Sequence, residues 1–116
     1  MDEILMLTLL YDFYGELLTE KQKQVFELHY QNDLSLSEIG EELSISRQAV
    51  RDQLKRTEKI LIEYEEKLRL VERFQQQQRS VRKMKSILDE IGTGEISKRT
   101  TEAILTMRQI ADEILS

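Results

Sequence analysis

The 116-residue sequence contains no cysteine and no proline, only four glycines and a single histidine. The absence of cysteine excludes disulfides, thiolate metal sites and cysteine catalysis, and it is consistent with a reducing compartment. Without proline, few points along the chain force a helix to stop. One histidine cannot form a zinc site unaided, and no nucleophile, base and oxyanion donor converge in the pattern. We therefore expect a non-enzymatic protein with no catalytic residue, cofactor or metal ligand.

The composition indicates one helical domain with a solvated surface. Hydrophobic residues make up 40% of the chain and charged residues 34%, with a formal net charge of −5. At this length, that apolar content is enough for one modest core. An apolar run at residues 4–10 follows two acids instead of a basic region, lacks a small-residue cleavage site and is too short to span a bilayer. We expect an all-α protein with no signal peptide and no membrane insertion.

Two helices are predicted before residue 33. The second would open at a capping box formed by Thr19 and Gln22. The lone histidine, His29, lies near the buried side of that helix, where a structural role is the more ordinary interpretation than a pH-responsive one. The residues predicted to be buried in the first helix are Leu7, Leu10, Phe13, Tyr14 and Leu17.

Residues 18–61 have the spacing of a helix-turn-helix unit. Ser35 and Glu38 are placed as a capping box that opens a short helix. A tight turn at residues 44–46 follows, and Ser46 can accept from the free amides of the next helix. The apolar positions that would pack the two helices together are Leu36, Ile39, Leu43, Ile45, Val50 and Leu54.

The polar residues of the second helix recur at intervals of three and four, so they form one outward stripe. Arg47 and Arg51 can each donate two hydrogen bonds to guanine, at O6 and N7, and Gln48 can pair with an adenine edge. The basic residues that follow can bind phosphates. An ordinary solvated helix face is the alternative, but the caps and the turn in register favour nucleic-acid binding. The predicted DNA-binding residues are Ser46, Arg47, Gln48, Arg51, Asp52, Lys55, Arg56 and Lys59.

Charge is distributed unevenly along the chain. Residues 1–45 hold ten acids against two lysines, whereas residues 46–60 hold five basic residues against two acids. An acidic excess repels a phosphate backbone unless it faces away from it. The protein is therefore predicted to be electrostatically two-sided, with a basic surface on the second helix of the helix-turn-helix.

The helix-turn-helix segment resembles region 4 of the sigma factors, best the short extracytoplasmic type. Two departures stand out: Gly40 replaces the usual alanine, and Ser44 stands where many such turns carry glycine. Gly40 still allows close helix contact, at a local cost of about 1 kcal/mol relative to alanine. The matching residues are Leu18, Thr19, Gln22, Glu38, Ile39, Ile45, Ser46, Val50, Leu54, Arg56 and Leu61.

The flanks of the motif indicate a more specific family. Two segments carry this resemblance through about Leu68, LLYDFYGELLTEKQ and SISRQAVRDQLKRTEKILIEYEEKL, and together they resemble the small bacterial YlxM family. That resemblance implies a cytoplasmic regulatory protein encoded beside the genes for the signal recognition particle GTPase and its receptor. The implied function is that of an accessory or regulator of this pathway, with DNA, the particle's RNA, and the GTPase or its receptor as partners. The alternative is a sequence-specific DNA-binding transcriptional regulator that resembles sigma region 4.

A heptad pattern continues along the long second helix of the motif, with apolar residues in alternating steps of four and three. Such a seam packs against another long helix, which is either the C-terminal part of this chain or a second subunit. The two alternatives are close to even from the sequence. The seam that would form a homodimer is Leu54, Leu61, Tyr64, Leu68 and Val71.

The four glutamines at residues 75–78 mark the predicted helix break, so the sequence divides into residues 1–74 and a C-terminal helical hairpin at residues 75–116, packed together as one domain. A turn is predicted at residues 92–94 and a last helix at residues 97–115, with an apolar face that closes the core or extends an interface. The basic residues after the break could be a solvated face, a phosphate contact or a docking surface for an acidic partner. They are Arg79, Arg82, Lys83 and Lys85.

Overall fold

A computed structural model describes residues 2–91 and 97–115 of the chain. No strand occurs in the described residues, which confirms the predicted all-α class. The chain divides into two compact units, Met1–Val71 and Glu72–Ser116. The helices are α1 (Glu3–Tyr14), α2 (Glu20–Tyr30), α3 (Leu36–Leu43), α4 (Arg47–Leu68), α5 (Leu70–Ile91) and α6 (Lys98–Leu115), with a short 3₁₀ turn at Gly15–Leu17 after α1.

Both predicted capping boxes are present. At the start of α2, the Thr19 hydroxyl accepts from the Gln22 amide at 3.2 Å and the Gln22 side chain accepts from the Thr19 amide at 2.9 Å. Ser35 and Glu38 make the equivalent pair at the start of α3, at 3.1 and 3.0 Å. The backbone and hydroxyl of Ser35 hold the pKa of Glu38 below its usual value, because both hydrogen bonds favour the carboxylate. These caps fix where α2 and α3 begin.

The first core cluster packs α1 against α2 and α4. The ring of Tyr11 stacks on Phe26 with the centroids 4.4 Å apart. The prediction for Leu17 is wrong: this side chain is 56% exposed, because it lies in the 3₁₀ turn and has left the register of α1, and Leu18 is buried instead. Phe13 is partly buried at the cluster's edge. The cluster's buried members are Leu7, Leu10, Tyr11, Tyr14, Leu18, Phe26, Leu61 and Val71.

The second core cluster holds the helix-turn-helix together. It joins Val25 of α2 to Ile39 of α3 and to Val50 and Leu54 of α4, and Ile45 of the turn packs against it. His29 is partly buried and its Nδ1 lies 2.9 Å from the carbonyl oxygen of Leu34, so the ring ties the end of α2 to the loop before α3. The two faces of α4 therefore differ: one faces this core, and the other faces solvent.

The helix break is at Arg69 and not, as predicted, at residues 75–78. Arg69 has the left-handed backbone angles φ 54° and ψ 31° that end α4, and the glutamine run lies inside α5. In a continuous helix, the amides that follow Arg69 would donate to backbone carbonyl oxygens of the preceding turn. Here the Leu70 amide donates to the Tyr14 hydroxyl and the Val71 amide donates to the Glu65 carboxylate, each at 3.1 Å. Glutamine is itself a good helix former, which is why the run interrupts nothing.

The second unit contains an antiparallel helical hairpin. Lys85 pairs with Asp112, and Asp89 pairs with Arg108 at 2.6 Å, so later residues of α5 meet earlier residues of α6. The Ser97 hydroxyl accepts from the Thr100 amide at 3.2 Å and caps α6. The predicted turn at residues 92–94 lies outside the described residues. None of the helices in the described part of the chain is long and apolar enough to cross a membrane.

Candidate nucleic-acid interface

The turn between α3 and α4 is tight because α3 ends in a left-handed residue. Ser44 has φ 58° and ψ 42°, and it fills the position where many such turns carry glycine. The amide of Ile45 donates to the carbonyl oxygen of Gly40 at 2.9 Å. A Cβ atom on Gly40 would lie only 2.7 Å from the carbonyl oxygen of Ile45. Gly40 therefore leaves the space that lets the turn fold back onto α3.

The start of α4 is fixed by a cap and by its apolar face. The Ser46 hydroxyl accepts from the Ala49 amide at 3.0 Å. Val50 is fully buried and Leu54 is 3% exposed, so this face is held against α2 and α3. The polar residues of the first turns consequently point away from the core, as the spacing predicted.

All eight residues predicted for DNA contact are exposed in the structure. They lie on the solvent side of α4, and residues 47–59 extend about 18 Å along the helix axis at the usual rise per residue. A helix of this width and length fits the major groove of duplex DNA. Their role in DNA binding stays a prediction, but the geometry that such a role requires is present.

Within this surface, the two arginines and the glutamine differ in their surroundings. Arg47 and Arg51 form no ion pair with any residue in the described ranges, so their guanidinium groups face solvent. The side-chain amide of Gln48 instead donates to the Asp52 carboxylate at 3.0 Å. A carboxylate can only accept, which fixes the amide nitrogen of Gln48 toward Asp52. Asp52 thus orients Gln48 and places one negative charge beside the basic residues.

The second acid near the basic surface, Glu58, lies at the edge of the core. The Tyr30 hydroxyl donates to Glu58 at 3.1 Å, and Lys55 lies 4.0 Å from the same carboxylate. Burial, followed by the charge of Glu58, raises the pKa of Tyr30 to about 12. Glu58 is therefore held at the core edge of the basic surface and offsets the charge of one of its members, Lys55. No local sequence pattern indicates this contact, since Tyr30 and Glu58 are 28 positions apart.

The other predicted sites are distributed differently. Arg79, Arg82 and Lys83 are exposed on α5, whereas Lys85 is tied to Asp112 and belongs to the hairpin. Three seam residues are buried in this chain's own core, Tyr64 is partly buried with its ring 5.8 Å from that of Tyr14, and Leu68 is 45% exposed. The three buried seam residues, Leu54, Leu61 and Val71, therefore have an intramolecular role.

Two capped helices joined at a left-handed turn, with a basic solvent face on the second helix, define a helix-turn-helix protein. The chain belongs to the UPF0122 family, whose model, described as "Putative helix-turn-helix protein, YlxM / p13 like", matches residues 1–102. The predicted YlxM resemblance is thereby confirmed, and it extends well beyond Leu68. Membership of a helix-turn-helix family suggests nucleic-acid binding.

Relatives of high identity carry the same family name. UPF0122 proteins of Bacillus cereus strain AH187, Bacillus anthracis strain A0248 and Bacillus thuringiensis subsp. konkukian strain 97-27 are similar to this chain. Each is 52% identical over 96 residues, which cover 82% of this chain and 87% of the relative. The similarity therefore spans most of both chains.

Proposed function

We propose that this protein is a non-enzymatic, nucleic-acid-binding regulatory protein that places the first turns of α4 in the major groove of a duplex. The proposal rests on Arg47 and Arg51, which are exposed and form no ion pair within the described ranges. They lie at a helix start that Ser46 caps and that the buried side of α4 anchors in the core. Side chains on a rigid element lose little freedom when they bind, so this surface is prepared for contact.

Each part of the surface has a distinct chemistry in this proposal. Arg47 and Arg51 donate in pairs to the O6 and N7 acceptors of guanine, and Gln48, oriented by Asp52, reads an adenine edge. The remaining basic residues, Lys55, Arg56 and Lys59, neutralise phosphates and add affinity without sequence information. The ten acidic side chains within residues 1–45 repel phosphates, so this orientation requires them to lie away from the nucleic-acid backbone.

We place this activity in the signal recognition particle pathway, as an accessory or regulator in the cytoplasm. The resemblance to the YlxM family supports this setting. Arg79, Arg82 and Lys83 supply a second exposed basic surface, which suits the backbone of the particle's RNA or an acidic surface on its GTPase or receptor. The protein would change GTP turnover by favouring one conformation of its partner, without hydrolysing GTP itself.

A sequence-specific transcriptional regulator is the second candidate, and the Gln48–Asp52 contact favours it. Fixing a side-chain amide by a neighbouring carboxylate is useful for reading a base edge, whereas binding to a phosphate backbone does not require it. In this candidate the protein binds one DNA site through α4, much as sigma region 4 does, and the second basic surface only adds nonspecific affinity.

One experiment separates the two candidates. Binding of the full chain is measured side by side against the particle's RNA, its GTPase, the receptor and duplex DNA, together with GTP turnover. The pathway proposal expects binding to a particle component that falls in the variant with Arg82→Glu and Lys83→Glu, more at low salt than at high salt, because salt screens exposed charges. If the wild-type protein binds no component and leaves GTP turnover unchanged, the pathway proposal fails and the transcriptional candidate replaces it.

A further inference from the structure

One side of the C-terminal hairpin is an uncovered apolar surface, which we call the hairpin face. Every side chain in it is between 46% and 52% exposed, although all are large and hydrophobic. The face consists of Met84, Ile87 and Ile91 on α5, and Met107, Ile110 and Ile114 on α6.

The hairpin face lies on the side opposite the hairpin's ion pairs. Successive residues turn by about 100° around a helix axis. The buried Val81 marks the inward direction of α5, and the buried Ile104 marks that of α6. Counted from these two residues, the ion-pair residues of each helix lie on one side and the exposed apolar residues lie on the other. A groove of about 360 Å³ runs between the two helices on the apolar side, with Leu88 and Ala111 also lining it. The hairpin thus has one polar side closed by charges and one apolar side left open.

The second unit has little core of its own. Among its described residues, only Val81, Ile104 and Ala111 are buried hydrophobic side chains. A unit of this size has too little interior for stability unless another surface covers it. Two packed layers of secondary structure around one core are the usual solution, and a two-helix hairpin supplies only one layer.

The size and chemistry of the hairpin face fit a second copy of this chain. Six half-exposed side chains of this size present on the order of 500 Å² of apolar surface, so two copies bury about 1,000 Å² before any rim is counted. That area reaches the lower limit for a specific interface, and the rim adds to it. On the described surface of either helix, no charged side chain lies between the apolar side chains of the hairpin face. The face therefore offers no charge that would attract an acidic or a basic partner. In a two-fold dimer the same surface of each copy faces its equivalent, so that surface must complement itself. A wholly apolar face meets this condition, because it brings no like charges together.

We propose that two copies of this protein dimerise by packing their hairpin faces together, so that the two hairpins form a four-helix bundle. In the bundle, side chains such as Ile110 of one copy enter the groove above Leu88 and Ala111 of the other. This dimer differs from the heptad seam predicted from the sequence, since Leu61 and Val71 of that seam are already covered within each chain. The inference is independent of nucleic-acid binding and is tested without any nucleic acid.

The chain offers a matched pair of substitutions for the test. Ile110 is 51% exposed within the hairpin face, and Leu105 is 53% exposed on the same helix but on the ion-pair side. Light scattering of the full-length wild type should give twice the 13.8 kDa of one chain. Ile110→Glu should raise the dissociation constant by about a hundredfold or more, because the dimer would bury unpaired charges, while Leu105→Glu should leave it unchanged. Circular dichroism checks that both variants keep their helices.

Cysteine cross-linking provides a test that adds no charge. Because the chain has no cysteine, a single cysteine at each hairpin-face position in turn reports only the contacts of that position. Oxidation should link two copies at one or more face positions, and Leu105→Cys should give no such link. A wild type that stays monomeric at about 100 μM, or a dimer that Ile110→Glu leaves intact, would overturn the proposal.

Discussion

Tyr14 and Glu65 are 51 positions apart in the sequence, and their side chains meet at 2.6 Å, with the tyrosine hydroxyl donating to the carboxylate. The same two groups accept the amides of Leu70 and Val71. Tyr14 is fully buried, so this network lies between α1, the end of α4 and the start of α5. The pair therefore replaces the acceptors that a continuous helix would have provided and fixes the break at Arg69.

Replacing Tyr14 by phenylalanine tests this network. The change removes the acceptor of the Leu70 amide and the donor to Glu65 while keeping the ring, and it should lower the free energy of unfolding by about 1 to 3 kcal/mol. Urea unfolding measures the loss, and hydrogen exchange at Leu70 should become faster. Tyr64→Phe is the control, since the Tyr64 hydroxyl has no hydrogen-bond partner among the described residues. Equal stability of the two variants would show that the network does not fix the break.

Gly40→Ala tests the close approach in the turn. The new methyl group would lie 2.7 Å from a backbone oxygen that cannot rotate away, so the turn must shift. Overpacking of this kind typically costs about 1 to 3 kcal/mol, and the better helix propensity of alanine offsets about 1 kcal/mol of it. We expect a net loss of about 1 kcal/mol in thermal or urea unfolding. Ser37→Ala, at an exposed position of the same helix, should be neutral or slightly stabilising, and a Gly40→Ala variant that behaves the same way contradicts the account.

Three tyrosines, two buried and one partly buried, predict a loss of stability in alkali. Burial raises the pKa of Tyr30 to about 12 and also raises the pKa values of Tyr11 and Tyr14, whose hydroxyls donate to Glu27 and Glu65. Between about pH 10 and pH 12 the unfolded tyrosines lose protons that the folded ones keep. The stability that these groups provide is therefore complete below pH 10 and declines above it.

Tyr30→Phe isolates one of these groups. Its free energy of unfolding, measured by urea titration at several pH values from about 9 to 12, should fall less steeply with pH than that of the wild type, because one raised pKa has been removed. The remaining tyrosines keep part of the slope. Identical slopes for the two proteins would mean that Tyr30 does not contribute.

The sequence predicts those features that depend on neighbours in the chain. The caps at Thr19 and Ser35 are signalled by a partner three residues later, and the solvent side of α4 follows from its periodicity. The break at Arg69 depends on Tyr14, which lies on another helix far along the chain, and no local pattern contains that contact. The exposure of Leu17 has a related cause, since α1 ends at Tyr14 and the 3₁₀ turn that follows changes the direction in which Leu17 points.

The heptad seam shows a different limit. Steps of three and four indicate that one side of α4 packs against a helix, but the same spacing arises whichever helix is the partner. In the structure, Leu61 faces the cluster formed by α1 and α2, which the sequence had not proposed as its partner. The apolar face predicted on the last helix has the same limit, because the spacing does not tell which of its residues stay uncovered.

The most direct test of nucleic-acid reading by α4 is a comparison of Arg51→Ala and Lys59→Ala on a duplex selected by the wild type from a random pool. If α4 reads bases, Arg51→Ala should weaken the selected site by about 1 to 3 kcal/mol and relax the preference at one position. Lys59→Ala should weaken all duplexes alike and reduce the salt slope by about one. Equal weak binding of the wild type to every duplex, unaffected by Arg51→Ala, would contradict the account.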